Sequence, residues 1–245
     1  MTPLALDGSL HRVTTFPPEL IVEILRWATH GKNGLSPFAL AGPCQAWRIL
    51  LISDPSFWTS IDLDIGLRPR CYCMQMDLLA EWMSRAGNLA LSVTVKCSYR
   101  EILEGDLNPR TTPDNHIAPL VDSTLLINLI VSKSSQIRSL CLSIPPVFFT
   151  YFRDHGDVSW PMLSHLSLSN ADVLDAVKFS LPDPLTTFQS SPLLRQVSIL
   201  RFYVCLFVLP WNEIQSPLLE NPPSRKYLRP LLLHPRSSAS WSVKR

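Results

Sequence analysis

The chain of 245 residues is poor in glycine and in charged side chains. It has 8 glycines, and Asp, Glu, Lys and Arg together make up 17% of the residues, against roughly 25% in an average soluble domain. Phosphate-binding loops and nucleophile elbows need glycines at fixed short spacings. The glycines here form no GxGxxG, GxSxG or Walker pattern, so the standard nucleotide-binding and hydrolase motifs are excluded.

Metal-ligating residues also lack the spacing of a metal site. The closest two histidines are ten residues apart, and Cys71 and Cys73 form a CxC with no second Cys/His pair at zinc-finger distance. The pattern favours plain structural thiols over a metal site. We therefore expect no catalytic residue, no metal and no cofactor, and a protein that is not an enzyme. An enzyme of unrecognised type is the least favoured alternative.

No apolar run is long enough to cross a membrane. The longest one near the end, Phe202 to Leu209, has eight residues, whereas a spanning helix needs about 20. The first twelve residues do not have the pattern of a signal peptide, and the six cysteines show no disulfide-framework spacing. We expect a cytoplasmic or nuclear protein with no membrane partner.

Apolar residues, leucine above all, are plentiful. They make up 46% of the chain, and leucine occurs 40 times, which argues against intrinsic disorder. The net charge of +2 divides unevenly: residues 1–220 hold 16 Lys/Arg and 20 Asp/Glu, and residues 221–245 hold six Lys/Arg and no acid. The near-neutral total argues against a nucleic-acid partner, and the six cations of the tail are too diffuse to suggest one.

The N-terminal quarter has helical periodicity. We expect residues 1–14 to be disordered and a helix to begin at Thr15, with Pro17 and Pro18 in its first turn. Its apolar residues recur at helical spacing on one face: Leu20, Ile21, Ile24, Leu25 and Ala28. Gly31 and Gly34 end it. A second short helix is predicted from Pro37 to Leu40 and a third from about Cys44 to Ile52.

From Trp58 onward the pattern changes to a recurring LxxLxL form. Three clean copies end at Leu142, Leu168 and Ile199, and two weaker ones, Trp58-xx-Ile61-x-Leu63 and Asn88-xx-Leu91-x-Val93, end at Leu63 and Val93. The steps of 30, 49, 26 and 31 residues resemble those of leucine-rich repeats, whose period is about 20–29 residues. The repeat is favoured over an ordinary α/β core. The longest step holds an expected insertion loop, residues 96–119, and the stretches Met76–Ala86 and Pro119–Ser132 are expected to be helical.

In this form the leucines point into the core, and the residues between and after them line the opposite, concave face. Asp62 and Asp64 alternate with apolar residues, which favours the wet face of a strand over a catalytic carboxylate pair. The expected face is rich in hydroxyls and free of Lys and Arg, which favours a protein contact over a phosphate-tracking surface. Its residues are Asp62, Asp64, Ser92, Thr94, Cys141, Ser143, Ser167, Ser169, Ser198 and Leu200.

The segments FPPELIVEIL (from Phe16) and CQAWRILLISDPSFWTSIDL (to Leu63) resemble the F-box. The similarity is closest to the F-box-like proteins abundant in mushroom-forming fungi, in which segments like LLAEWMSRAGNLALSVTV and loose leucine-rich repeats follow. The motif covers about 48 residues, and the family-like pattern extends to about Trp211. The matching residues keep the family's order and spacing: Pro17, Glu19, Ile24, Leu25, Cys44, Trp47, Arg48 and Trp58.

The resemblance implies the substrate-recognition subunit of an SCF-type cullin–RING ubiquitin ligase, which works in ubiquitin-dependent degradation. It would bind a Skp-type adaptor, and through it the cullin–RING ligase, and hold an unknown protein substrate. Its adaptor-binding residues, which would supply the adaptor contacts or position them, would be Phe16, Pro17, Leu20, Ile24 and Leu25. The alternative is that these residues belong to the core. Cys44, Trp47 and Trp58 would pack the module.

The expected fold class is α/β (α+β): a three-helix F-box at residues 15–63, then a short, irregular α/β solenoid at residues 64–211. Residues 212–245 are expected to be a poorly ordered basic tail with Pro and Ser that supplies no further strand. On that basis the chain is interpreted as a truncated family member. Gly42-Pro43 departs from the family pattern, which leaves an alternative open: a non-catalytic interaction protein with a vestigial F-box that no longer binds the adaptor.

Overall fold

The computed structural model describes residues 17–29, 36–66, 69–98, 122–171, 183–202, 204–220 and 242–244. The chain divides into two compact units. The helical unit comprises residues up to Thr59 together with Arg85–Leu89, and the sheet unit comprises Ser60–Ser84 and Ala90 onward. The expected class, α/β, is confirmed by this mixture of helices with a parallel sheet.

The described part of the helical unit contains three helices and one 3₁₀ turn, and their starts follow from the local sequence. Helix α1 is Pro18–Thr29, α2 is Pro37–Leu40 and α3 is Gln45–Ser53, followed by the 3₁₀ turn Pro55–Trp58. The Ser36 hydroxyl accepts from the Ala39 amide (3.3 Å) at the start of α2, and Asp54 accepts from the Ser56 amide (2.9 Å) at the start of the 3₁₀ turn. Such caps satisfy amides that have no partner within the helix.

The three predicted helices therefore exist close to their predicted bounds. Helix α1 starts three residues later than predicted, α2 has the predicted bounds, and α3 starts one residue later because Cys44 is its cap. Residues 1–14 and the predicted stop signals Gly31 and Gly34 lie outside the described residues.

Within the described residues, the sheet unit is built on seven parallel strands that lie side by side in chain order. They are β1 (Ser60–Gly66), β2 (Leu91–Ser98), β3 (Ile137–Ile144), β4 (His165–Asn170), β5 (Gln196–Leu200), β6 (Ser216–Glu220) and β7 (Ser242–Lys244). The crossovers contain helices α4 (Pro69–Arg85), α5 (Ser123–Ser132) and α6 (Pro146–Phe149), and 3₁₀ turns at Thr150–His155 and Val204–Leu206. The predicted helical stretches before β2 and β3 are confirmed, with α4 starting earlier than expected.

The buried face of the sheet is formed by aligned apolar residues. One register row joins Leu63, Val95, Leu142, Leu168, Ile199 and Leu219, and all six are buried. The copies of LxxLxL at β1, β3, β4 and β5 were therefore read in the correct register. In β2 the reading was wrong by two residues, because Val95 and not Val93 stands opposite Leu63. The ladder with β1 is regular along its whole length, and the copy in β2 is therefore Ala90-xx-Val93-x-Val95, with a small residue in its first position.

Two expected boundaries are also wrong. Strand β2 continues to Ser98, so Lys96, Cys97 and Ser98 belong to the sheet and not to an insertion loop. The remainder of the expected loop, from residue 99, lies outside the described residues. Strands β6 and β7 lie after Trp211, where no strand was expected. Ile214-xx-Pro217-x-Leu219 is a further copy of the repeat, with all three residues buried.

Aromatic side chains fill the core beneath β3, β4 and β5. The Phe149 ring lies 5.0 Å from Phe202 and 6.2 Å from Phe207, and the Phe188 ring lies 5.5 Å from Phe152. Trp160 joins the cluster at 5.3 Å from Phe188 and donates its indole N–H to the Thr187 carbonyl at 2.9 Å. Edge-to-face packing of this kind stabilises beyond the buried area alone, so the sheet unit has a deep, continuous core.

Candidate functional sites

Helix α1 carries two adjacent apolar stripes, and only one of them is buried. Ile21 and Leu25 are in the core, whereas Leu20, Ile24 and Trp27 are 51%, 53% and 81% exposed. Positions 20, 24 and 27 follow helical spacing and share one face. We call these three residues the α1 stripe. A run of large exposed apolar side chains on one face is typical of an interaction site.

The predicted adaptor-binding residues divide between surface and core. Phe16 lies outside the described residues, Pro17 is exposed, and Leu20 and Ile24 belong to the α1 stripe. Leu25 is fully buried, so it cannot be a contact residue; it packs α1 against its own unit. Of the two roles expected of these residues, adaptor contact or positioning of the contacts, Leu25 can therefore have only the second.

Sequence reasoning missed three exposed apolar residues of the helical unit. Trp27 is the most exposed large apolar side chain among the described residues, and Ile49 and Ile52 on α3 are each about half exposed. The sequence of α1 indicates such residues, because its apolar residues cover more of the helix circumference than burial on one side requires.

Of the three predicted packing residues, Trp58 is the most deeply buried. The Trp58 ring is fully buried, and its Nε1 donates a hydrogen bond to the Leu51 carbonyl at 2.7 Å. The Phe38 ring packs edge-on against it, with the ring centres 4.9 Å apart. The Arg85 guanidinium lies 4.8 Å from the centre of the Trp58 ring. Cys44 caps α3, and its sulfur accepts from the Trp47 amide at 3.5 Å. Cys44 and Trp47 are themselves half-buried. The set therefore packs the helical unit, with Trp58 at its centre.

Gly42 and Pro43 occupy the short connection between α2 and α3. The Gly42 amide donates to the Ala39 carbonyl at 3.2 Å, and Pro43 stands immediately before the cap residue Cys44. Pro43 thus lies outside both helices, and its missing N–H removes no bond from either of them.

Asp54 links α1 to the end of the helical unit. Its carboxylate accepts from the Ser56 amide at 2.9 Å and from the Arg26 guanidinium at 3.3 Å. Partial burial raises the pKa of Asp54, but the hydrogen bonds from Ser56 and the charge of Arg26 outweigh that effect, so its pKa is lower than usual. The ionised form is therefore the one that stabilises the unit.

The predicted concave residues all lie on one face of the sheet, which we call the open face. The middle register row reads Asp62, Thr94, Cys141, Ser167 and Ser198, and the next row reads Asp64, Lys96, Ser143, Ser169 and Leu200. Ser92 belongs to a third row, opposite Ser60. Asp62 and Asp64 are exposed, and the hydroxyl residues are half-buried.

The expectation that this face lacks Lys and Arg is wrong. Lys96 is exposed on it, and its Nζ lies 3.0 and 3.2 Å from the two carboxylate oxygens of Asp62. The error came from the β2 register, which placed Ser92 beside Asp62 and left Lys96 in the loop. The first two strands of the open face therefore carry three charges with a net charge of −1.

The open face presents hydroxyls and few charges. Within the described residues no group of three or more His, Cys, Asp or Glu could hold a metal ion. Cys97 is buried on the core side, and burial raises the pKa of its thiol to about 12, which keeps it protonated and unreactive. In the part of the chain that the structure describes, no helix has the length and apolar character needed to cross a bilayer.

No protein-family model, no curated protein and no solved structure matches the chain.

Proposed function

We propose that the protein is the substrate-recognition subunit of an SCF-type cullin–RING ubiquitin ligase. The helical unit would bind a Skp-type adaptor, and the sheet unit would hold a protein substrate. The observation that carries the proposal is the α1 stripe, which lies within the segment that resembles the F-box and includes its Leu20 and Ile24.

The helical unit has the features of a docking module. Three short helices pack around a small core, and the stripe leaves one side of α1 apolar and uncovered among the described residues. Large apolar and aromatic anchors, tryptophan especially, dominate the energy of protein interfaces. Leu20, Ile24 and Trp27 supply three such anchors in a row.

The sheet unit supports the second half of the proposal. Parallel strands in strict chain order are the arrangement expected of a leucine-rich-repeat solenoid, and the open face offers a polar surface to a substrate. The protein would act by proximity: one unit holds the ligase and the other holds the target. Ubiquitin transfer then becomes effectively intramolecular, with no catalytic residue in this chain.

The vestigial F-box is the second candidate. Its support is Gly42-Pro43, which departs from the family pattern. Because Pro43 precedes the cap of α3 and breaks no helical bond, that support is weak, and an adaptor-binding measurement decides between the two functions.

The test is co-expression of the full chain with a Skp-type adaptor, followed by co-purification and titration. We expect the wild type to bind and Ile24→Asp or Trp27→Asp to weaken binding by at least about tenfold, since a buried unpaired charge opposes docking. Leu125→Asp is the matched control, because Leu125 is also a partly exposed apolar residue on a helix, but in the sheet unit. Leu25→Asp is unsuitable, since a charge at a fully buried site would unfold the unit.

No binding by a folded wild-type chain would favour the vestigial F-box. Binding that survives both substitutions on the α1 stripe would contradict the assigned interface.

A further inference from the structure

Strand β1 is at the end of the sheet, and among the described residues it has a neighbouring strand, β2, on one side only. Its other edge carries backbone N–H and C=O groups that a further strand could pair with. Adding an extended peptide to such an edge is a common mode of protein recognition, in which main-chain hydrogen bonds supply affinity and side chains supply specificity.

The Gln75 side chain already occupies one end of this edge. The Gly66 amide donates to its Oε1 at 2.9 Å, and its Nε2 donates to the Asp64 carbonyl at 3.0 Å. In a parallel ladder, one residue of the neighbouring strand makes this same pair of bonds, to the C=O of one residue and the N–H of the residue two further on. Gln75 therefore takes the place of one residue of an added strand, opposite Ile65.

The geometry also identifies the groups that stay open. The ladder with β2 runs the whole length of β1, and alternate residues of a strand send their N–H and C=O groups to opposite sides. The even-numbered residues therefore face the free edge. Two ladder positions remain beside the one that Gln75 fills: the Ser60 carbonyl with the Asp62 amide, and the Asp62 carbonyl with the Asp64 amide. Among the described residues no strand lies beside them.

The side chains at this edge select the charge of the occupant. Asp62 and Asp64 are exposed on the open face, and Lys96 engages Asp62. Asp64 has no ion pair among the described residues. An added strand would place side chains directly opposite these two positions, where Lys or Arg is favoured and Asp or Glu is repelled. A second copy of β1 would set aspartates against aspartates, which disfavours self-pairing.

We propose that the free edge of β1, from Ser60 to Asp64, binds a short extended segment of a partner protein that carries Lys or Arg at alternate positions. Gln75 limits this site to two ladder positions. The proposal does not depend on adaptor binding, because the edge belongs to the sheet unit and the α1 stripe to the helical unit.

The test uses the full chain and a fluorescently labelled peptide, acetyl-Thr-Lys-Val-Lys-Thr-amide, in an anisotropy titration. Two control peptides separate the contribution of side-chain charge from that of main-chain hydrogen bonds. One replaces Lys by Glu. The other keeps Lys but is N-methylated at alternate amides, which removes main-chain donors. We expect both controls to bind at least about tenfold more weakly. Hydrogen exchange at the amides of Asp62 and Asp64 should slow when the Lys peptide is added.

Asp62→Pro removes an outward N–H, which an edge strand tolerates because that group makes no bond to β2. We expect it to abolish binding, whereas Asp62→Thr, which keeps the N–H, should weaken binding only a few-fold. Absence of binding by the Lys peptide, or equal binding by its N-methylated form, would overturn the proposal. A wild-type dimer that Asp62→Pro dissociates would also overturn it, by assigning the edge to a second copy. If Asp62→Pro does not fold, hydrogen exchange at the Asp62 and Asp64 amides of the wild type still shows whether the Lys peptide binds at this edge; unchanged exchange would overturn the proposal.

Discussion

The two units differ in how their large apolar side chains divide between the core and the surface. The sheet unit buries its leucines in register rows and adds a buried aromatic cluster. Its exposed large apolar residues are single, such as Met74 on α4, Leu125 on α5 and Val147 on α6. The helical unit instead exposes three on α1 and two on α3. The difference indicates that the helical unit has an apolar surface suited to a partner, whereas the exposed apolar residues described in the sheet unit are scattered.

The largest expected effect tests the deep core of the sheet unit. Phe149 is fully buried beside the rings of Phe152, Phe202 and Phe207, with Phe202 at 5.0 Å. Phe149→Ala should lower the free energy of unfolding by about 3–5 kcal/mol, because it removes the ring and leaves a cavity. Equilibrium unfolding in urea measures this loss of unfolding free energy. The adjacent exposed Val147 provides the control, since Val147→Ala should change stability by less than about 0.5 kcal/mol. Similar losses for the two variants would contradict the comparison.

A pair of neighbours on α1 sharpens the contrast within the helical unit. Leu25→Ala should destabilise by about 2–5 kcal/mol because Leu25 is fully buried. Ile24→Ala should change stability by less than about 0.5 kcal/mol while weakening adaptor binding. Thermal unfolding and adaptor titration of both variants separate the two roles. Equal destabilisation would show that the α1 stripe is part of the core.

Asp54 provides a pH-dependent effect confined to the helical unit. Because its pKa is lower in the folded state than in the unfolded one, the ionised carboxylate stabilises the fold above the usual aspartate pKa of about 4. That contribution is lost as the pH falls through the lowered folded-state pKa. Asp54→Ala should cost about 1 kcal/mol at pH 7 through the lost cap.

The difference in unfolding free energy between wild type and Asp54→Ala should shrink at pH 3 relative to pH 7. A difference that stays constant between these pH values would mean that charge plays no part at Asp54.

The smallest effect concerns the open face. Lys96 and Asp62 form an exposed ion pair at 3.0 Å, and such pairs contribute between about 0 and 1 kcal/mol. A double-mutant cycle with Lys96→Ala and Asp62→Ala should give a coupling in this range that falls further at 1 M salt. A larger, salt-independent coupling would show that the open face is not solvent-exposed at this point.

Much of the fold could be predicted, because leucine spacing reports burial directly. The strands at β3, β4 and β5 were read in register, since each repeat there is regular. The β2 register failed because Leu91, Val93 and Val95 are alternate residues of one strand and all three are buried, so the leucine pattern alone does not show which of them stands opposite Leu63. Strand β6 was missed because Pro217 occupies a leucine position, and a proline argues against an inner strand.

The candidate sites were harder to predict than the fold. Periodicity finds an apolar face of a helix but not which part of it a neighbour covers, so the division between buried Leu25 and exposed Ile24 was not predicted and Trp27 was overlooked. The pairing of Gln75 with Gly66 and Asp64 joins residues whose relation depends on how α4 returns alongside β1, which no local pattern encodes.

The chain-order pairing of the strands also bears on how the protein is made. Each strand pairs only with the strands before and after it in the chain. During synthesis, which proceeds from the N-terminus, every new strand therefore meets its partner already released from the ribosome. The sheet can grow in one direction, and β1 with its Gln75 cap is the fixed starting end. We expect ribosome-bound chains ending after β3 to protect the amides of β1 and β2 already, and late residues to be dispensable for that early order.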